Sequence, residues 1–272
     1  MKKVIGTTAV LAVLLATPAM AADMSYKPYQ ARIYPLPPVV TDWSGLYVGG
    51  SLGARWSDST WTTTAIGSPL GPPDPSTTPA SFNGSSTFRA GGYIGYNWEW
   101  APSSILGVEA DAAWGHNRTT IAGIPGTFGI FGQGVGLGAT ALDSTQVTLG
   151  WDGSLRARLG VLVAPTWLIY ATSGLAWQQA DVNATCNGGM GANPSWCIAV
   201  RNETFSTTRI GWTVGGGVEA LLWNNWLMRA EYRYADYGNV SHTFFAGTNA
   251  DEVAMQFEVK TNTALFGLAY KF

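Results

Sequence analysis

The stretch Asp152 to Val161 reads DGSLRARLGV. Leu155, Ala157, Leu159 and Val161 fall on one parity, and Asp152, Ser154, Arg156, Arg158 and Gly160 on the other. Successive side chains of an extended strand point to opposite faces, so this segment is a strand with one apolar and one charged face. A soluble sheet would need charge elsewhere to wet its surface. Here charged residues are only 12% of the chain while hydrophobic residues are 46%, about half the usual charge. The surface that needs so little charge is one that faces lipid, with the polar face turned into the interior of a closed barrel.

The same alternation recurs along the chain. Leu46, Val48, Leu52, Ala54 and Trp56 oppose Tyr47, Gly49, Ser51, Gly53 and Arg55. Phe88, Ala90, Ile94, Tyr96 and Trp98 oppose Arg89, Gly91, Tyr93, Gly95 and Asn97. Leu106, Val108, Ala110, Ala112 and Trp114 oppose Gly107, Glu109, Asp111 and Gly115. Ile210, Trp212, Val214, Val218 and Ala220 oppose Arg209, Thr213 and Glu219. Trp226, Met228, Ala230, Tyr232 and Tyr234 oppose Arg229, Glu231 and Arg233. The last strand sets Ala264, Phe266, Leu268, Tyr270 and Phe272 against Thr263, Leu265, Gly267, Ala269 and Lys271. Only Trp167 to Trp177 is apolar at nearly every position, which leaves its faces unassigned. The fold expected is all-β: a closed antiparallel eight-stranded transmembrane β-barrel.

The connections sort by length. Those at Glu99–Ser104, Ala164–Thr166 and Leu222–Asn225 are short, while those near 57–86, 117–150, 178–206 and 238–254 are long. Short turns at one end and long loops at the other are the outer-membrane arrangement, with the long loops outside the cell. Closure also removes unpaired edges, which lipid does not tolerate.

The start of the chain sets the compartment. Lys2 and Lys3 precede an apolar run from Val4 to Ala16, and Ala19-Met20-Ala21 places small residues where a signal peptidase reads. Residues 1–21 are therefore expected to be a signal peptide, with cleavage after Ala22 as the alternative. Residues 22–42, with Pro28, Pro35, Pro37 and Pro38, read as an extended periplasmic lead-in, and 43–272 as the barrel. After the signal no apolar run reaches the ~18 residues of a membrane helix. Net charge is −2, and loss of two lysines makes it −4, so nucleic-acid binding has no electrostatic basis.

Cys186 and Cys197 lie in an Asn- and Gly-rich segment. In an exported chain they are expected to form one loop disulfide. The rival, a metal site, lacks neighbouring histidines.

By parity Arg55, Arg89, Glu109, Asp111, Arg156, Arg158, Glu219, Arg229, Glu231 and Arg233 point into the lumen. Both signs occur, which fits paired charges better than a one-sign channel, and an eight-stranded interior is about wide enough for side chains to fill. Trp56, Trp98, Trp114, Trp151, Trp177, Trp223, Trp226 and Phe272 cluster toward expected strand ends, as aromatic girdles do.

Several stretches carry a family likeness. DWSGLYVGG (Asp42–Gly50) resembles the opening strand of the small outer-membrane surface-antigen and porin-like proteins of α-proteobacteria. WDGSLRARLG (Trp151–Gly160), ATSGLAW (Ala171–Trp177), GWTVGGGVEA (Gly211–Ala220) and, most specifically, RAEYRYADYG (Arg229–Gly238) are similar to family segments. The resemblance runs from Asp42 to the end, with divergence in the long loops and Ser173 where the family more often has Gly. The alternating end Leu268, Tyr270, Phe272 resembles the signal by which the barrel assembly machinery recognises its clients. The resemblance implies residence in the cell outer membrane among lipid and lipopolysaccharide, a role in envelope integrity and surface display, and haemin binding in some members.

Four functions follow as expectations. The first is an envelope-structural barrel without a cofactor, because no catalytic cluster accompanies the lumen charges. The second is a narrow channel for small solutes, favoured by excess arginine and by inward glycines that free space. The third is an enzyme, for which His116 with Asp111 and His242 with Asp236 are the local candidates, but neither has a serine motif. The fourth is ligand binding by Gly123–Gly138 or the Pro-rich Gly67–Pro79, where composition marks a loop and names no ligand. His116 and His242 are single loop-end or loop residues, and lone histidines are more often solvated than ligands, since an axial haem site needs a shaped pocket as well. Nothing in the pattern requires a homo-oligomer.

Overall fold

The computed structural model describes residues 42–67, 72–83, 85–127, 143–187, 197, 199–248 and 251–272. The expected signal peptide, the lead-in up to residue 41, residues 68–71 of the Pro-rich loop and the glycine-rich stretch from 128 lie outside the described residues. The strands are β1 (Gly45–Ile66), β2 (Ala80–Ser81), β3 (Ser85–Ala101), β4 (Ser104–Trp114), β5 (Asn117–Ala122), β6 (Ser144–Ala164), β7 (Trp167–Asn187), β8 (Val200–Leu221), β9 (Trp226–Phe244) and β10 (Val253–Lys271). Eight of them pair antiparallel in the order β10-β9-β8-β7-β6-β4-β3-β1, and β10 returns to β1 from Tyr47–Lys271 up to Ile66–Val253. The ring is closed, as the alternation predicts. The short β2 and β5 add to β1 and β6.

Parity sorts the residues. Leu52, Phe88, Ile94, Leu155, Leu159, Leu175 and Phe266 are exposed on the outer face, whereas Arg55, Arg89, Arg156 and Arg158 are buried inside. In the ambiguous β7 run, Leu168, Tyr170, Thr172 and Ala176 face inward and Trp167, Ile169 and Leu175 outward. Both faces are apolar there because the lower end of the interior is itself an aromatic and aliphatic plug. Trp43, Tyr47, Tyr93, Ile105, Leu168, Tyr170, Leu227 and Ala269 form it.

The long connections differ from expectation. Much of 57–86, 117–150, 178–206 and 238–254 is strand: β1 runs on to Ile66, β7 to Asn187, β8 starts at Val200 and β9 reaches Phe244. β10 shows the reason. Near its end Ala264, Phe266, Leu268 and Tyr270 face outward, while in its first half Val253, Met255, Phe257 and Val259 are buried inside and Gln256, Glu258 and Lys260 face out. The phase is kept but hydrophobicity changes face, because the outside is lipid below and water above. Trp56, Trp151 and Trp177 consequently lie within strands and not at their termini.

Above this level the ring divides. β8 and β9 pair from Leu221–Leu227 to Trp212–Asp236 and no further. On the opposite side β3 begins at Ser85, facing Ser57, and higher up β1 meets β2 only at Thr60 and Trp61. Two leaves result, β9-β10-β1-β2 and β5-β6-β7-β8. Their inner faces share one apolar core that includes Trp61, Phe244 and Phe257 from the first leaf and Val147, Leu149 and Val182 from the second. Trp61 stacks on Phe244 with ring centroids 5.3 Å apart. Two sheets packed face to face bury their apolar sides just as in a soluble sandwich. A disulfide joins Cys186, at the top of β7, to Cys197, and both are buried in this core.

Candidate functional site

The interior between plug and upper core is a charge layer. All ten lumen residues named from parity are buried there. Arg156 lies at its centre. Its Nη1 donates to Glu231 Oε1 at 2.7 Å, its Nη2 to Glu109, and Asp111 lies 3.5 Å from it. Arg229 donates to Glu109 from the far side, and Arg233 bridges Asp111 at 3.1 Å and Glu231 at 2.9 Å. Arg89 continues the chain to Asp111 at 2.7 Å and Asp152 at 2.6 Å, and Arg55 reaches Asp152 at 2.7 Å. Arg158 pairs separately with Glu219 at 2.8 Å.

Six strands contribute these eleven charges. Each inward carboxylate meets at least one guanidinium, whose planar fork can serve two acceptors at once. Six arginines against five carboxylates leave the layer close to neutral, so it offers no one-sign lining for ion selection.

Asp152 was not assigned to the network by sequence, although it shares the parity of Arg156 and Arg158. It is the carboxylate that links Arg55 to Arg89. The pairing of β6 is unbroken from Asp152 to Arg158, so parity already placed this carboxylate inward, and only its partners were missing from the sequence. Sequence also gave no role to the inward tyrosines. Tyr47 donates to Glu109 at 2.9 Å and Tyr170 to Glu231 at 2.8 Å. The guanidinium of Arg158 lies 3.8 Å from the Tyr170 ring centroid and that of Arg229 lies 3.6 Å from that of Tyr93.

The inward glycines free space, but these rings take it. A Cβ on Gly95 would stand 2.2 Å from the Tyr47 hydroxyl, and one on Gly217 or Gly267 would stand 2.8 Å from the hydroxyl of Tyr170 or Tyr93. The bulky rings and the glycines are two halves of one packing arrangement. This removes the support that those glycines lent to a solute path.

The two histidines are not brought to these charges. His116 is exposed between β4 and β5. His242 is half-buried on β9, 2.9 Å from Glu203 and stacked on Phe205 at 4.1 Å. In the upper core, burial pushes the Tyr237 phenol up to about 12.

The sequence profile described as "Outer membrane protein beta-barrel domain" matches residues 8–272. The chain is 28% identical over its whole length to the "31 kDa outer-membrane immunogenic protein" of Brucella melitensis, which is also covered in full. It is 32% identical to the "25 kDa outer-membrane immunogenic protein" of Brucella abortus, covering 66% of this chain and 76% of that one. Among solved structures, the outer membrane protein OprG of Pseudomonas aeruginosa superposes with a TM-score of 0.51 at 12% identity, covering 84% of this chain and 96% of that one. That likeness concerns the fold alone.

Proposed function

The chain belongs to the outer membrane protein β-barrel domain family, and on that footing we propose a closed, envelope-structural barrel that holds a rigid two-leaf head at the cell surface. It is an integral outer-membrane protein whose outer apolar face contacts membrane lipid and lipopolysaccharide. The observation that carries the reading is the filled interior: an aromatic plug below, paired charges in the middle and an apolar core above. Three layers of side chains in an eight-stranded ring leave it packed, and the ring's small bore favours that filling. The long-connection end lies outside, so the upper leaves form the surface-exposed part.

The charge network is read as structural. Its arginines anchor strands from opposite walls, and removing one partner strands a buried charge. A non-catalytic role accords with relatives named for their location and immunogenicity rather than for a reaction. On the last strand Leu268, Tyr270 and Phe272 alternate on the lipid face, which supports their use as the assembly signal during biogenesis.

Single-channel recording of the refolded chain in planar bilayers tests the reading. A folded, inserted barrel that stays silent is the expected result. Discrete, reproducible openings that change with Arg156→Ala would overturn it in favour of transport.

A further inference from the structure

Between the two leaves, side chains of β8 reach across to β9 and the connection that follows it. Glu203 of β8 uses both of its carboxylate oxygens there. Its Oε1 lies 2.9 Å from His242 Nε2 on β9, and its Oε2 accepts the N–H of Phe245 at 2.6 Å. The imidazole is stacked on Phe205 of β8 with ring centroids 4.1 Å apart, and it meets Phe244 edge-on at 4.7 Å. Glu203 and Phe205 stand two apart on one strand and so share a face. One acid and one ring from β8 thus converge on a single histidine of the other leaf.

What the carboxylate holds is a strained turn. Phe245 opens the β9–β10 connection at φ +58 and is buried. A bulky side chain rarely adopts that left-handed conformation, and it persists only when the surroundings hold it. Thr248 donates to the Phe245 carbonyl at 2.7 Å, while Glu203 takes the N–H. The turn is therefore fastened to β8 by a group whose second oxygen faces an imidazole, the side chain whose charge ordinarily changes between about pH 5 and pH 8.

Among the described residues around His242, the other ionisable groups are engaged elsewhere. Arg201 of β8 is paired with Asp251 at 2.7 Å, and Arg209 donates to the Asn239 carbonyl at 2.7 Å. Glu252 accepts from the N–H of Gly247 at 2.6 Å. Tyr237, lower on β9, titrates at about 12. The buried rows of the flanking strands, Val182 and Ala184 of β7 and Val253 and Met255 of β10, carry no charge.

We propose that Glu203 and His242 form a pH-sensitive latch that fastens the start of the β9–β10 connection onto β8 and closes the two leaves more firmly as the surroundings acidify. With a neutral ring, Nε2–H donates an ordinary hydrogen bond to the carboxylate. Protonation turns that bond into an ion pair and lays a cation over the Phe205 face, and both changes favour the closed state. The latched state then binds a proton more strongly than the unlatched one, so its stability rises as pH falls through the imidazole range. Further acid, in the ordinary carboxylate range near about pH 4, removes the charge from both arms and loosens the latch again. Both partners are partly exposed, at 34% for Glu203 and 25% for His242, so the effect is modest. It is independent of whether the lumen conducts, and its failure would leave the closed-barrel reading untouched.

Hydrogen exchange of the full refolded chain in nanodiscs tests the latch, with each rate corrected for the intrinsic exchange rate at its pH. Between about pH 8 and pH 6 the Phe245 amide should gain about two- to fivefold in protection, the factor a partly exposed ion pair supplies. Amides of the lipid-facing part of β6 should not change. His242→Phe keeps a ring against Phe205 and loses the proton, so its Phe245 protection should be flat over the same range. Glu203→Gln keeps an acceptor for the Phe245 N–H and loses the charge, and it should also be flat. The chain has 2 histidines, and His116→Asn, the control, should keep the slope of the parent. A parent protein with no change in Phe245 protection would overturn the proposal, whatever the variants do. So would a slope that persists in His242→Phe or Glu203→Gln, or one that His116→Asn abolishes.

Discussion

Arg156 on β6 and Glu231 on β9 meet at 2.7 Å although two strands, β7 and β8, stand between theirs in the ring. The same guanidinium holds Glu109 on the neighbouring β4, so one side chain ties together opposite walls of the barrel. Arg156→Leu leaves three carboxylates, Glu109, Asp111 and Glu231, with fewer cations. The expected loss is about 3–5 kcal/mol, the range for breaking a buried pair. Urea unfolding in liposomes, followed by the heat-modifiable band on gels, measures it. Glu231 keeps Arg233 at 2.9 Å in that variant, so adding Glu231→Leu should recover none of the loss.

Trp61 belongs to the upper core, where it stacks on Phe244 and donates to Thr63 at 2.8 Å. Trp61→Ala should cost about 3–5 kcal/mol. The damage is expected in the leaves and not in the lipid-embedded ring. Added protease should cut the upper strands of the variant in liposomes while the lower barrel fragment stays protected.

The disulfide closes a segment with a sequence separation of 11. Replacing Cys186 and Cys197 by Ser should lower the stability of the upper leaves by about 3 kcal/mol on the chain-entropy model. Insertion yield should not change. Tryptophan fluorescence melts of oxidised and reduced protein, with the double variant as reference, check both statements.

Burial holds the Tyr237 proton up to about 12, against about 10 for an unfolded tyrosine. A group whose folded value is raised contributes stability fully below the unfolded value and loses it as pH rises through the folded one. Upper-leaf stability should therefore fall between about pH 10 and pH 12. Tyr237→Phe should flatten that slope relative to the parent. An identical slope in both proteins would show that other groups cause the loss.

Much of the membrane-spanning part is legible in the chain because one rule governs it. Lipid outside and a polar interior force Leu155, Ala157 and Leu159 to one parity and Arg156 and Arg158 to the other. The upper strands obey the same periodicity with the opposite sign. Val253, Met255, Phe257 and Val259 alternate with polar residues as cleanly as the lipid-facing set does. A reading that looks only for apolar-out strands takes them for loop. The inverted sign marks where lipid gives way to water, and it is present in sequence once both environments are allowed.

The closed barrel and the parity of its charged face were legible in the chain alone. These depend on local alternation and composition. Tertiary structure alone decided which arginine meets which carboxylate, that tyrosines fill the space over glycines, and that β8 parts from β9 above Trp212. Those outcomes depend on register and shear between strands far apart in the chain. A pattern of period two fixes the face of each side chain and leaves its height and partners across the lumen open.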